Sequence, residues 1–337
     1  MTECGESRKD ATRQILLSTK ATLLLGCWNI RTMFDTGRAV IIASEMKRYK
    51  LSLLGLSEMR WTQNGQTRLQ SGEMIIYSGH PEEDAIHTEG VAFMMDKKAQ
   101  RALISWEPVS SRIITARFNT RLKKKSMYVI LCYASTNEAE EEKKTDFYDL
   151  LQATIDKAKA NDLVLVMGDM NAKMGSRNDN YKPFMGTQGL GDMNGNGQLF
   201  ADFCLENDLV IGGSLFPHKT KHKATWVSPD HITENQIDHI AVSRRHRRSL
   251  LDVRVKRGAD VASDHHLLSV KMQLKLRNYP TTITGRQKLA IELLNDENKK
   301  EQFELEVNNR YEVLRHLMQQ ETDTGLTLED LWDNMKK

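Results

Sequence analysis

Asn29 follows Trp28, Glu58 follows the apolar run Leu51–Leu56, Asp169 follows Met167-Gly168, Asp238 follows Ile237, and Asp264 and His265 stand side by side. Each lies where a short apolar run, long enough for a buried strand, gives out. A carboxylate in such a place cannot satisfy itself in an apolar core, so it faces water or coordinates something. Several that converge form an oxygen-rich set suited to a hard divalent cation, magnesium above all. A histidine next to an aspartate adds a group that changes charge near neutral pH. Taken singly, each of these residues reads as a turn or cap. Their recurrence at successive strand ends points to an active site.

The elements that must position them follow from the apolar pattern. Buried strands are expected at 21–28, 51–56, 73–78, 90–95, 112–118, 126–133, 163–167, 208–213, 225–227, 237–242 and 267–272, with helices at 38–50, 138–160 and 198–207. Residues 175–197, rich in Gly, Asn and Asp, read as a long surface loop. A β-rich chain with helices inserted between strands predicts an α/β fold of two packed sheets flanked by helices. Three regions result: a polar N-terminal extension at 1–20, one large domain at 21–276, and a helical linker or truncated tail at 277–337.

With 39% hydrophobic and 28% charged residues, the 337-residue chain has material for a sizeable core and is not a disordered polyelectrolyte. A net charge of +3 does not by itself demand a nucleic-acid partner, so the placement of the basic residues decides that question. Cys4, Cys27, Cys132 and Cys204 are scattered and form no C-x-x-C pair, which speaks against structural zinc and disulfides and for a reducing compartment. No run approaches the ~20 apolar residues of a membrane span, and the N-terminus does not read as a secretion signal.

The segments Trp28-Asn29-Ile30-Arg31, Leu56-Ser57-Glu58, Tyr133, Gly168-Asp169-Met170-Asn171, Ile237-Asp238 and Ser263-Asp264-His265 occur in the order seen in the apurinic/apyrimidinic-type endonucleases. Over residues 21–276 the chain thus resembles the endonuclease/exonuclease/phosphatase superfamily. WNIRTM, LSEMRW, GDMNAKMG and SDHHLL are more narrowly similar to the endonuclease domain of RTE-type non-LTR retrotransposons and of a domesticated copy of it. The resemblance implies a four-layered sandwich and magnesium as cofactor, with manganese as the alternative ion. It implies that Glu58 and Asn29, joined by Asp264, hold the metal. Asp169 would activate the attacking water, Asn171 would hold the phosphate or that water, and Tyr133 would add a phenolic hydrogen bond. His265, oriented by Asp238, would donate to the phosphate. Repair enzymes of the superfamily carry an acidic residue and a lysine where this chain has Arg31 and Arg60, and Pro and Asn in the segment after the tyrosine, where Ala134, Ser135 and Thr136 stand here. Those departures point away from abasic-site repair.

DNA is the expected partner, with the nucleus as the expected compartment and the cytoplasm as the alternative. Three basic runs are candidate contacts: RLKKK at 121–125, HKTKHK at 218–223 and RRHRR at 244–248. The second, with Lys221 and Lys223, adjoins Thr225-Trp226. Trp226 is either a stacking residue or core. The RRHRR run reads equally as a DNA-facing loop, a solvated loop or a nuclear-import signal. His218 and His222 lack the cysteines to complete a zinc site. The 189–194 loop lacks the third glycine of a dinucleotide fingerprint. The reading is a retrotransposon-derived, magnesium-dependent DNA endonuclease that nicks DNA for target-primed reverse transcription. The alternatives are a silent, domesticated DNA- or chromatin-binding module and a small-molecule or lipid phosphatase on the same fold.

Overall fold

A computed structural model of the chain describes residues 15–275, except 36, 83, 122–124 and 161, together with 296–305 and 307–308. The chain divides into two compact units after Leu276. In the second unit residues 297–305 and 307–308 are helical. The rest of the helical stretch expected over 288–319, and the short helix expected after Gly325, lie outside the described residues.

The first unit is built on two large sheets, with strands numbered in chain order. A seven-stranded sheet runs β14 (Leu250–Lys256), β15 (Leu267–Met272), β1 (Leu23–Asn29), β2 (Leu53–Ser57), β5 (Val91–Met95), β4 (Met74–Ser78), β3 (Asn64–Arg68). A six-stranded sheet runs β10 (Leu209–Ile211), β13 (Asp238–Ser243), β9 (Leu163–Asp169), β8 (Ser126–Tyr133), β7 (Ile113–Asn119), β6 (Leu103–Ser110). A ribbon of β11 (Trp226–Val227) and β12 (Glu234–Asn235) stands apart. The helices are α1 (Arg38–Arg48), α2 (Lys97–Ala102), α3 (Glu141–Ile155) and α4 (Gly195–Glu206). Each large sheet contains one parallel pair, β1 with β2 and β8 with β9, whose crossovers contain α1 and α3. All other pairings in the two sheets are antiparallel.

Side-chain alternation divides the core into three layers. Along β8, Met127, Val129 and Leu131 join the cluster between the sheets, while Tyr128, Ile130 and Cys132 pack outward with Phe147 and Leu151 of α3 and Phe200 and Cys204 of α4. Along β1, Leu23, Leu25 and Cys27 face the inter-sheet cluster, and Trp28 packs with Ile42, Ala43 and Met46 of α1 on the other side. The result is helix, sheet, sheet, helix, the four-layered sandwich that the resemblance implied. The sheets approach closely at Gly55, where a Cβ would stand 2.6 Å from Leu131 Cδ1 and 3.2 Å from Met167 Cε, so any side chain there would force them apart.

The order of elements matches the expected pattern, with differences at the edges. The domain starts earlier than residue 21: Leu16 and Leu17 are core residues, Leu16 N donates to Asn119 O (2.9 Å) and Leu274 N donates to Ser18 O (3.1 Å). The expected extension therefore contributes core, which a run of three apolar residues, Ile15-Leu16-Leu17, amid polar neighbours does not announce. Strands β3, β6, β12 and β14 and the six-residue helix α2, capped by Asp96, were not expected. Helix α4 starts at Gly195 rather than 198 because Asn194 Oδ1 caps it, accepting from Gly197 N at 2.8 Å.

Candidate active site

The strand alternation that builds the inter-sheet core also builds the site. Asn29 continues the row Leu25, Cys27; Tyr133 continues Val129, Leu131; Asp169 continues Leu165, Met167; and Asp238 stands in the row of Ile240 and Val242. All four thus point into the space between the sheets at the end where apolar residues give out. Tyr133, Asp169 and Asp238 lie in one lateral row, since Tyr133 pairs with Asp169 and Asp169 with Asp238. Gly168 lets the strand reach that row: its φ is +136°, and a Cβ would lie 1.9 Å from Cys132 O.

Asn29 is the hub. Its Nδ2 donates to Glu58 Oε1 at 2.7 Å and to Asp169 Oδ2 at 2.9 Å, and its Oδ1 accepts from Arg31 N at 3.0 Å. The side chain therefore acts here as a donor bridge between two carboxylates, where the resemblance had given it to the metal. Glu58 follows β2 in the left-handed region (φ 54°), as do Arg31 (60°), Arg60 (62°) and Asn171 (48°) around it. For a glutamate or arginine this conformation costs on the order of 1 kcal/mol or more, and it is kept where the surroundings over-determine the geometry. Tyr133 Oη donates to Glu58 Oε1 at 2.9 Å. Burial, then the charges of Glu58 and Asp169, push the Tyr133 phenol far above its ordinary range, so it remains a donor.

His265 Nδ1 is 2.9 Å from Asp238 Oδ2, and its Nε2 is 3.9 Å from Asp169 Oδ2. Burial alone would lower the His265 pKa; the charge of Asp238 and its hydrogen bond prevail and raise it to about 9. Asp169 is pushed the other way from a free carboxylate, up to about 7, first by burial and then by Asp238, against His265, Asn29 and the Asn171 backbone N–H. Asn171 N donates to Asp169 Oδ1 (3.0 Å) and Asn171 Nδ2 to Ala134 O (3.0 Å), so Asn171 orients the aspartate directly.

Sequence reasoning gave no role to three residues that hold this set. Thr225 Oγ1 accepts from the N–H groups of Ile237 and Asp238, fixing the start of β13. Ser263 Oγ donates to Asn29 O (2.8 Å) and accepts from His265 N (3.1 Å), joining the two ends of the site. Arg112 lies over the Tyr133 ring (4.9 Å), donates to Tyr133 O and pairs with Glu89 Oε1 at 2.7 Å. Serine and threonine in loops carry no distinguishing sequence signal, and an arginine within a strand reads as a solvent-facing residue.

Asp264 stands outside the Asn29 network. Its Oδ2 accepts from Trp226 Nε1 (3.0 Å) and its Oδ1 faces Arg31 Nε at 3.7 Å. Trp226 is half-buried and bridged to His265, so it is a rim residue and not core. Arg60, half-buried, reaches Glu58 Oε2 at 3.6 Å. Of the basic runs, HKTKHK lies at this end, leading through Thr225 into the rim, with Lys221 exposed and Lys223 half-buried. RRHRR begins after Ser243, at the far end of β13 from Asp238, roughly 17 Å away at 3.3 Å per residue. Of RLKKK, residues 122–124 lie outside the described residues; Arg121 and Lys125 join β7 to β8 at the end remote from Tyr133. Strand direction thus removes both runs from the candidate site.

The donor chemistry fits a hard cation. Among the described residues, Asp169, Asp238 and His265 bring one ligand-capable atom each within 4.8 Å. An imidazole engaged by Asp238 and favouring its proton has no lone pair to give, so that trio is better suited to moving protons. The carboxylate that could hold a cation is Glu58, whose Oε2 is approached by Arg60 Nη2 at 3.6 Å.

Residues 127–269 match the family described as endonuclease-reverse transcriptase. The chain is 35% identical over 263 residues to craniofacial development protein 2 of Tragulus javanicus, an alignment covering 78% of this chain and 44% of the relative. It thus spans less than half the length of that curated relative. Among solved structures, the endonuclease domain of TRAS1, a telomere-specific non-LTR retrotransposon, superposes with a TM-score of 0.53 at 14% identity, over 76% of this chain and all of that one. The 3′ phosphatase NExo from Neisseria, bound to a product DNA hairpin, does so with a TM-score of 0.54 at 17% identity, over 75% and 100%.

Proposed function

On the scaffold that this chain has, the endonuclease/exonuclease/phosphatase fold, we propose that it is a divalent-metal-dependent endonuclease that nicks DNA. The observation that carries the reading is the continuous set Glu58–Asn29–Asp169–His265–Asp238, in which one amide bridges a cation-side carboxylate to a proton-handling trio. Magnesium, or manganese, held by Glu58 with the help of Asn29 and, from the rim, Asp264, would supply Lewis-acid polarisation of the phosphoryl oxygen. The protein's own groups do the rest. Asp169, whose affinity for a proton is raised by burial and by Asp238, takes the proton of the attacking water. His265, kept cationic by Asp238, donates from Nε2 to a phosphoryl oxygen as negative charge builds there. Tyr133 holds Glu58 in place, and Asn171 aims Asp169.

DNA as substrate is supported by the basic rim, with Arg31, Arg60, Lys221, Lys223 and Trp226 around the mouth of the site, and by the DNA product bound to the neisserial relative. The match to an endonuclease-reverse transcriptase family and to the TRAS1 domain supports an origin in a retrotransposon, where a nick primes reverse transcription. The test is nicking of supercoiled plasmid by the purified chain with Mg²⁺ or with chelator, and with His265→Ala. Metal-dependent nicking absent from the variant is the expected result. No nicking under any divalent metal by a folded protein would overturn the reading in favour of a binding module.

A further inference from the structure

We propose that the pole of the sandwich opposite the active site is a second nucleic-acid-binding face, one that grips the phosphodiester backbone through Lys125, Lys159, Arg247 and Arg248. This goes beyond the endonuclease reading and does not depend on it. Three stretches far apart in sequence converge there: Lys125-Ser126 at the start of β8, residues 157–160 with Asp162 before β9, and the 3-10 turn Arg244–Ser249 between β13 and β14. Arg245 fastens two of them by donating to Ala160 O (2.6 Å) and Asp162 O (3.3 Å), and Asp162 joins the third by accepting from Ser126 N (2.9 Å). These bonds tie the three stretches to one another.

The charge balance on this face is positive. Asp162 lies inside, paired with Arg117, and Arg244 pairs with Asp208 at 2.6 Å. Arg247, Arg248 and Lys159 are exposed, Lys125 is half-buried, and among the described residues no carboxylate forms an ion pair with the side chain of any of the four. His246 reports the local field from within. Its pKa is lowered to about 4, by burial first and then by Arg245 and Lys125, and its Nδ1 lies 3.0 Å from Ser243 Oγ. Planar arginine forks suit phosphate oxygens. Several of them presented together suit a polymer that carries one phosphate charge per ~1.7 Å of duplex axis. A nuclear-import signal would have to be taken up as an extended peptide, whereas here the run is wound into a 3-10 turn, runs into the buried Ser249 and has Arg245 folded back onto the body. Strands β8 and β13 separate this pole from the active site by about 20 Å, so nucleic acid held here need not be the strand being cut.

The experiment is fluorescence anisotropy of the full chain with a labelled duplex of about 30 base pairs, in chelator so that nothing is cut, across a salt series. The pair Arg247→Glu/Arg248→Glu is expected to weaken binding about tenfold at low salt and to flatten the slope of log affinity against log salt by about 2. Arg247→Gln/Arg248→Gln should shift both in the same direction by less. Duplex DNA and duplex RNA as separate probes identify the source of the backbone: equal losses mean a general phosphodiester grip, and a loss on one names that polymer. Unchanged affinity in both variants, with melting temperatures at the wild-type value, would overturn the proposal. So would displacement of the duplex by polyglutamate of equal total charge, which would mark a generic acid-binding surface. Binding is read without catalysis, so an inactive catalytic end leaves the result intact.

Discussion

Strand β9 is bracketed by two aspartates. Asp162 stands just before Leu163, Asp169 closes the strand, and each is 1% exposed. Their surroundings are opposite. Asp162 accepts from Ser126 N (2.9 Å), Ser126 Oγ (2.8 Å), Lys159 N (3.2 Å) and the Arg117 guanidinium. Burial works to raise its pKa, and these donors outweigh it, so the carboxylate is held below its ordinary range. Asp169 has donors too, but its deeper burial, and then Asp238 directly across the ladder, raise its proton affinity. Two carboxylates of equal surface exposure on one strand therefore separate by depth and by partner: the one whose oxygens are saturated by donors is a structural fixture, and the one more deeply enclosed and set beside a second carboxylate is ready to accept a proton.

Substitution of each aspartate breaks the comparison most directly. Asp169→Asn should lower plasmid nicking by roughly a thousandfold, the range expected when a positioned base is lost, while the melting temperature measured in chelator holds or rises because two carboxylates no longer oppose each other. A substantial fall in its melting temperature would show that Asp169 is structural after all. Asp162→Asn should do the reverse. Loss of a buried charge with its Arg117 partner costs about 3 kcal/mol, a drop of roughly 6–12 °C for a domain of this size, and the folded fraction should nick at close to the wild-type rate.

The two ends can be sharpened by pH and by metal. A carboxyl held below its unfolded pKa contributes stability that is complete above that unfolded value, about 3.9, and is lost as pH falls through the folded one. The stability gap between the wild type and Asp162→Asn should therefore be constant near neutrality and narrow in acid below about pH 4. A gap independent of pH in denaturant titrations would sink the assignment. The smallest expected effect is the thermal shift on adding Mg²⁺ at a few times its dissociation constant, worth about 1 kcal/mol. It should be present in the wild type and in Asp162→Asn and absent from Glu58→Gln.

The same contrast explains what was legible in the sequence. Central strands such as β1, β8 and β9 are apolar on both faces and were recognisable as runs, and a polar residue terminating such a run was recognisable as a site. Of the unrecognised strands, β3, β6 and β14 are all edges of the two sheets. β3 is Asn-Gly-Gln-Thr-Arg and almost wholly exposed, so it has no apolar period at all. β6 contains Pro108 and shifts register twice, and β14 shifts between Leu250 and Asp252, which interrupts the alternation of Leu250, Val253 and Val255. Likewise the basic runs were visible as composition, while their position depended on which end of β8 and β13 each adjoined, a fact of strand direction and not of residue type.

The opposition of Asp238 to Asp169 also bears on the order in which the domain assembles. Like charges placed directly across an antiparallel ladder weaken it, and the cation that offsets them, His265, precedes β15 in the other sheet. The six-stranded sheet is complete in sequence by Ser243, yet its site end stays electrostatically unfinished until the chain has returned to the seven-stranded sheet. A fragment ending before His265 should therefore form a frayed second sheet, and the final docking of that histidine, rather than the zipping of either sheet alone, should complete the cooperative fold.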